Sequence, residues 1–248
     1  MTKTSKQGDL FIDLPEKLKV PTNRIRWQAA HRLIPSRFPP ISLFERIADP
    51  ADWEALNELE GMTNPRLRDQ AGSISLVPKS RRVHGPGASI VMAPFTHASK
   101  DRPTRFSDGT YGIYYAANRL ETSLHEVTFH MEKFHRNTDD PPTRNEYRCY
   151  EGKVDKTFHV ITRKKWPKIL SPDLNTYPEA QAFGKLLRDS GSNGIVYPSM
   201  RYKPGKCLAA FWPDVVTIPV QTKHIALNWD GTKINSWFDY ENNNWNNF

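Results

Sequence analysis

The clearest pattern of apolar and polar positions lies between Gly112 and Phe134. An apolar run, GIYYAA, passes at Asn118 into a stretch where Leu120, Leu124, Val127, Met131 and Phe134 recur at alternating spacings of four and three. A strand feeding an amphipathic helix has this signature. Asn118, with Glu121 three residues on, predicts a capping box at the helix start. The five apolar residues form one stripe for burial. At about 100° per residue, Glu126 lies roughly 120° from the centre of that stripe, on a flank that can face a cleft.

Elsewhere the pattern predicts more strands than helices. Arg26 to Ile34 reads as a strand closed by Pro35 and the pair Pro39-Pro40, and Ala88 to Phe95 as a second strand. Asp49, Pro50 and Gly61 mark a short helix over 49–61. Glu146 to Ile161 has the content of one or two strands. Thr176 and Glu179 suggest a second capping box, opening the helix PEAQAFGKLLRDS, which Gly191 ends. Gly194 to Pro198 and Lys206 to Phe211 pair as a hairpin, with Ser199 at the end of its first strand. A last strand and a turn at Asp230-Gly231 follow. Strands without regular strand-helix alternation point to an α+β fold, with mixed or antiparallel sheets and packed helices. The domain organisation expected is a flexible lead over 1–23, one main domain over 24–240, and a mobile Asn-rich tail, ENNNWNNF, over 241–248.

Composition narrows the classes. With 248 residues, 38% hydrophobic and 25% charged, the chain suits one domain with a full core. No stretch approaches a membrane span, and the polar N-terminus has no apolar signal region, so a cytoplasmic protein is expected. Cys149 and Cys207 are too few for a disulfide framework or a cysteine-based zinc site. The net charge of +8 raises the alternative of a basic nucleic-acid-binding or RNA-targeting protein. Its densest clusters, Arg163-Lys164-Lys165 and Arg81-Arg82, nevertheless fall short of a polybasic arm, so direct nucleic-acid binding is not expected.

Several chemistries fail on spacing. His125 and His130 sit one residue too far apart for the HExxH zinc pattern: five helical steps separate them by about 140°, so they cannot share a metal, and no metal is expected. There is no GxSxG nucleophile elbow, no GxxxxGK[ST] loop and no GxGxxG turn. What remains is a set of arginines, a tyrosine, a carboxylate and a serine. They are carried by three segments: HRLIPSRFPP, TRFSDGTYGIYYAANRLETSLHEV and GIVYPSMRYKPGKCLAAFWP. In this order the segments resemble the RES family, named for its Arg, Glu and Ser, whose members are toxins of toxin–antitoxin pairs. The resemblance runs from about Trp27 to Trp237. Its most specific part is the Tyr-x-Ala strand with a Glu eleven residues after the Tyr.

The resemblance implies a fold like that of mono-ADP-ribosyltransferases, NAD as substrate, and cleavage of the nicotinamide–ribose bond. The ADP-ribosyl group would pass to water or phosphate, or alternatively to a protein target. By the family pattern Glu126, Arg105 and Tyr115 are catalytic, while Arg32, Arg105, Tyr115 and Ser199 bind NAD. Where short family members have Gly-Gly-Arg-Trp-Asn, this chain has Thr104-Arg105-Phe106-Ser107-Asp108. The side chains suit these roles. Guanidinium forks bind diphosphate bidentately, and an aromatic ring can face a flat cationic nicotinamide. An ionised carboxylate stabilises the positive charge that develops on the ribose, and a serine hydroxyl serves as a neutral hydrogen-bonding group. The resemblance also implies a helix-turn-helix antitoxin as partner and self-association of the toxin as a dimer.

Overall fold

The computed structural model describes residues 19–38 and 72–248. Its elements, in chain order, are β1 (Thr22–Pro35), α1 (Ala88–Thr96), β2 (Tyr114–Ala117), α2 (Leu120–Thr138), β3 (Thr143–Val160), α3 (Tyr177–Asp189), β4 (Gly194–Pro198), β5 (Lys206–Ala210), β6 (Val220–Trp229), β7 (Ile234–Asp239) and β8 (Asn244–Asn247). Short 3-10 turns join some of them. The class is α+β with a mixed sheet, as the strand-rich pattern indicates. Among the described residues no helix is long and apolar enough to cross a membrane.

The eight strands follow the order β1-β2-β5-β4-β3-β6-β7-β8, and β1 also pairs with β3, so five strands close into a ring. The long strand β3 makes this possible. One edge carries β1 antiparallel from Tyr147 to His159; the other carries β6 over Thr143–Glu151 and then β4, parallel, at His159 and Val160. The ring closes narrowly at β1 and β2, which meet at His31 and Ala117.

Period-two alternation sorts the strand residues onto different cores. Ile195, Tyr197, Cys207 and Ala209 join Phe183 and Leu187 of α3 in one cluster, with Tyr115 packed against it. Their neighbours Val196, Leu208, Ala210, Tyr114 and Ala116 point the other way, onto Val91, Met92 and Phe95 of α1. A third cluster sets Leu124 of α2 on Leu33, Tyr147, Cys149, Ile225 and Leu227. Adjacent residues of one short strand, Tyr114 and Tyr115, therefore serve two different cores.

Several expectations are corrected. Ala88–Thr96 is a helix rather than a strand. It starts after Gly87, which adopts φ 83°, and six of its nine residues are buried. A segment buried on nearly every side shows no helical period, and a short apolar run then reads equally as a strand. Asn118 does not cap α2; its Oδ1 accepts from the Lys206 N–H at 2.8 Å, and Arg119 takes the cap position with no side-chain bond. Thr176 likewise makes no capping bond to α3, its hydroxyl donating instead to the Asp173 carbonyl at 2.7 Å. The stripe on α2 is mixed: Leu124 is buried, Phe134 is 50% exposed, and Thr122, Ser123, Thr128 and His135 are buried. The segment 241–248, expected to be mobile, contains β8 paired to β7. At the other end, the lead is tied down before residue 23: Val20 is buried and the Pro21 carbonyl accepts from the Val160 N–H. The helix expected over 49–61 lies outside the described residues.

Candidate functional site

Two close approaches build the site. The turn between β4 and β5 lies so near the first turn of α2 that a Cβ on Gly205 would sit 2.3 Å from Thr122 Oγ1. Only glycine permits that contact. It brings α2 alongside the end of β4, where Ser199 Oγ donates to Glu126 Oε1 at 2.6 Å. Ser199 is buried and Glu126 half-buried. The same hydroxyl accepts from the Arg201 and Tyr202 N–H groups at 3.1 and 3.0 Å, which leaves its own proton directed to the carboxylate. Cys207 Sγ, from β5, lies 3.6 Å from the same Oε1.

The second approach places Arg105. A Cβ on Gly184 of α3 would fall 2.4 Å from the Phe106 carbonyl oxygen, so α3 lies against the 104–106 segment. Gln181 donates to the Thr104 carbonyl at 2.9 Å. From β2, the Tyr115 hydroxyl donates to Thr104 Oγ1 at 2.9 Å and accepts from the Phe106 N–H at 3.2 Å. Burial raises the Tyr115 phenol to about 12. Arg105 itself is buried; its Nη1 donates to the Ser171 carbonyl at 2.7 Å and its guanidinium faces the Tyr177 ring at 4.8 Å.

Tyr197 of β4 ties these groups together. Its phenol is pushed well above its ordinary value, first by burial and then by Cys207, Tyr115 and Glu126, while Arg105 acts in the opposite direction. Tyr115, Arg105 and Glu126 thus all act on the electrostatics of one buried tyrosine, and Ser199 is bonded to Glu126, although these residues span 95 positions of sequence, from 105 to 199. Arg32 reaches these groups through Tyr115, and its Nε is buried without a hydrogen-bond partner. Its Nη1 donates to the Tyr115 carbonyl at 2.8 Å and its guanidinium lies 4.7 Å from the Tyr114 ring, which belongs to the core under α1. Among the described residues it shares no hydrogen bond or ion pair with Arg105, Glu126 or Ser199.

Arg201 was not singled out from the sequence. Its guanidinium lies 3.3 Å from the centre of the Phe129 ring, one turn beyond Glu126 on α2, and its Nε is buried without a hydrogen-bond partner. Burial lowers its affinity for the proton, and Glu126 opposes that effect while Arg105 adds to it. Its place two residues after Ser199 was the available signal. The site therefore offers one carboxylate, a hydroxyl aligned by two backbone amides, and two guanidiniums.

His125 stacks on Tyr202 at 4.6 Å and meets Phe248 edge-on at 5.2 Å, and burial lowers its affinity for the proton.

The chain is similar to several known proteins. Uncharacterized protein y4oC of Sinorhizobium fredii is 28% identical over 213 residues, covering 85% of this chain and 87% of that protein. A chain of the M. tuberculosis MbcT–MbcA toxin–antitoxin complex aligns with a TM-score of 0.41 at 11% identity, covering 84% of this chain and 87% of that one. Residues 79–230, more than half of the sequence, match the RES domain, and the chain belongs to the RES-domain family.

Proposed function

We propose that this protein is a toxin that consumes NAD by cleaving its nicotinamide–ribose bond, with the ADP-ribosyl group passed to water or phosphate and a cognate antitoxin holding it in check. The observation that carries this reading is the 2.6 Å bond from Ser199 to Glu126, which presents an oriented carboxylate beside Arg105 and Arg201. Family membership supports it, because toxins of toxin–antitoxin pairs define the RES family.

The mechanism follows from what each side chain can do. Departure of nicotinamide leaves positive charge on the ribose ring. The Glu126 carboxylate stabilises that charge, and being held by Ser199 before substrate arrives, it needs no reorganisation. Arg105 and Arg201 supply permanent positive charge for the diphosphate; the unpartnered Arg201 Nε is a donor suited to such an acceptor. Tyr115 holds the Arg105 segment through its hydroxyl and contributes its ring to the same wall. Arg32, bonded to the Tyr115 carbonyl, acts as a strut that fixes β2.

Purified protein incubated with NAD, with and without phosphate, separates the outcomes. Loss of NAD with release of nicotinamide and either ADP-ribose or its phosphorylated form supports the reading. Label transferred to protein identifies a side-chain acceptor. Intact NAD after prolonged incubation with folded, antitoxin-free protein overturns it.

A further inference from the structure

Away from that site, His31, Cys149 and Glu151 bring an imidazole nitrogen, a thiol sulfur and a carboxylate oxygen within 4.8 Å of one another. His31 and Glu151 are direct partners across β1 and β3, and Cys149 lies two residues from Glu151 on the same face. His31 Nδ1 lies 3.2 Å from Glu151 Oε1, at ion-pair distance. An imidazole, a thiol and a carboxylate gathered this closely on one strand pair form a potential ligand set. The surroundings fit: Thr222 Oγ1 donates to Glu151 Oε1 at 3.0 Å and orients it, and the nearby Lys223 ammonium is already paired with Asp239 and Glu241.

We propose that His31, Cys149 and Glu151 bind one zinc-class divalent cation, with water completing the shell. The donor set decides the class. Nitrogen, sulfur and oxygen together suit borderline Zn2+, whereas Mg2+ and Ca2+ require oxygen ligands. A tetrahedral zinc holds such donors about 3.3–3.8 Å apart, so the three need to close by only about an ångström. On binding, the Cys149 thiol releases its proton to water, and thiolate and carboxylate together balance the cation. The position gives the ion a structural task. His31 is the residue at which β1 meets β2 to close the ring, its carbonyl accepts from Ser123 Oγ of α2 at 2.8 Å, and Arg32 is its neighbour. An ion there pins β1, β3 and the start of α2 together.

The test is titration of metal-free full-length protein with Co2+. The expected result is one equivalent bound, with the near-ultraviolet band of a cobalt–thiolate bond, displaced by Zn2+ and absent in Cys149→Ser. The carboxylate is half-exposed, so Glu151→Gln keeps the fold, and it should retain the thiolate band while weakening affinity tenfold or more. Absence of the band in folded wild type overturns the proposal. So does a band that survives Cys149→Ser and disappears in Cys207→Ser. The readout requires no NAD turnover, so its result stands apart from the catalytic reading.

Discussion

Arg105 and Arg32 carry the same expectation, a grip on diphosphate, and the fold treats them differently. Arg105 faces the Tyr177 ring at the start of α3 and donates to the Ser171 carbonyl. Arg32 leans on the Tyr114 ring toward α1 and donates to a backbone carbonyl of β2. The strands between them alternate with period two, so a single residue step along β2 separates a wall of the site from the opposite core. A family pattern fixes which residue types matter. The alternation decides which of them share a face.

The sharpest test of this division concerns the side that holds Glu126. Glu126→Gln retains an acceptor for Ser199 and should lower stability by about 1 kcal/mol or less. It removes the negative charge that opposes the ribose cation, so NAD turnover should fall by about 100-fold or more. NAD should still bind, because the charge acts mainly in the transition state. Measured kcat and Kd for the folded variant decide the matter; wild-type kcat removes the carboxylate from the mechanism.

The next effect in size compares the two faces at Tyr114 and Tyr115. Burial raises both phenols to about 12, whereas an unfolded tyrosine titrates near about 10. A raised folded value means that stability is fully present below about pH 10. It declines as pH rises toward 12, because the unfolded chain gives up these protons first. The loss is on the order of 2–3 kcal/mol per tyrosine at pH 12. Urea unfolding between pH 8 and 12 measures it. Tyr114→Phe should flatten the slope, since Tyr114 is fully buried and its hydroxyl has no hydrogen-bond partner to lose. A wild-type curve flat through pH 12 contradicts the burial of both rings.

Much of this was legible in the sequence because it is local. The β4–β5 hairpin, the strand entering α2 and the flank position of Glu126 follow from short-range periodicity. The meeting of Glu126 with Ser199 was legible only through the family pattern. Gly205 and Gly184, which allow it and the placement of Arg105, mark contacts between elements far apart in sequence. α1 was misread because complete burial erases its period. Asn118 and Thr176 were misread as caps because each had a competing partner, Lys206 and Asp173, that no local pattern announces. β8 was missed for a similar reason: its polar residues give no alternation, and its order comes from pairing with β7.

Paired lysine substitutions test the two arginines directly. Arg105→Lys should weaken NAD binding by about tenfold, since an ammonium cannot reproduce a guanidinium fork. Arg32→Lys should leave Kd within about twofold and instead lower the unfolding free energy, through loss of its bond to the Tyr115 carbonyl and of its stacking on Tyr114. Equal weakening of NAD binding by both variants would bring Arg32 back into the site and undo the separation of faces.

The smallest effect expected on turnover is that of chelation. His125 and His130 diverge by about 140° on α2, and His125 is occupied in a stack with Tyr202. The donors suited to a cation, His31, Cys149 and Glu151, lie in the β1–β3 strand pair and make no hydrogen bond or ion pair to Glu126 or Ser199 among the described residues. Exhaustive EDTA treatment should therefore lower the melting temperature by a few degrees, as loss of a ligand of the folded state does. NAD turnover per folded molecule at 25 °C should remain unchanged. Both quantities can be read from one chelated sample before and after zinc is restored. If turnover disappears with EDTA and returns with zinc while the fold persists, the cation takes part in the reaction, and the division between a metal-free catalytic face and a metal-pinned strand pair fails.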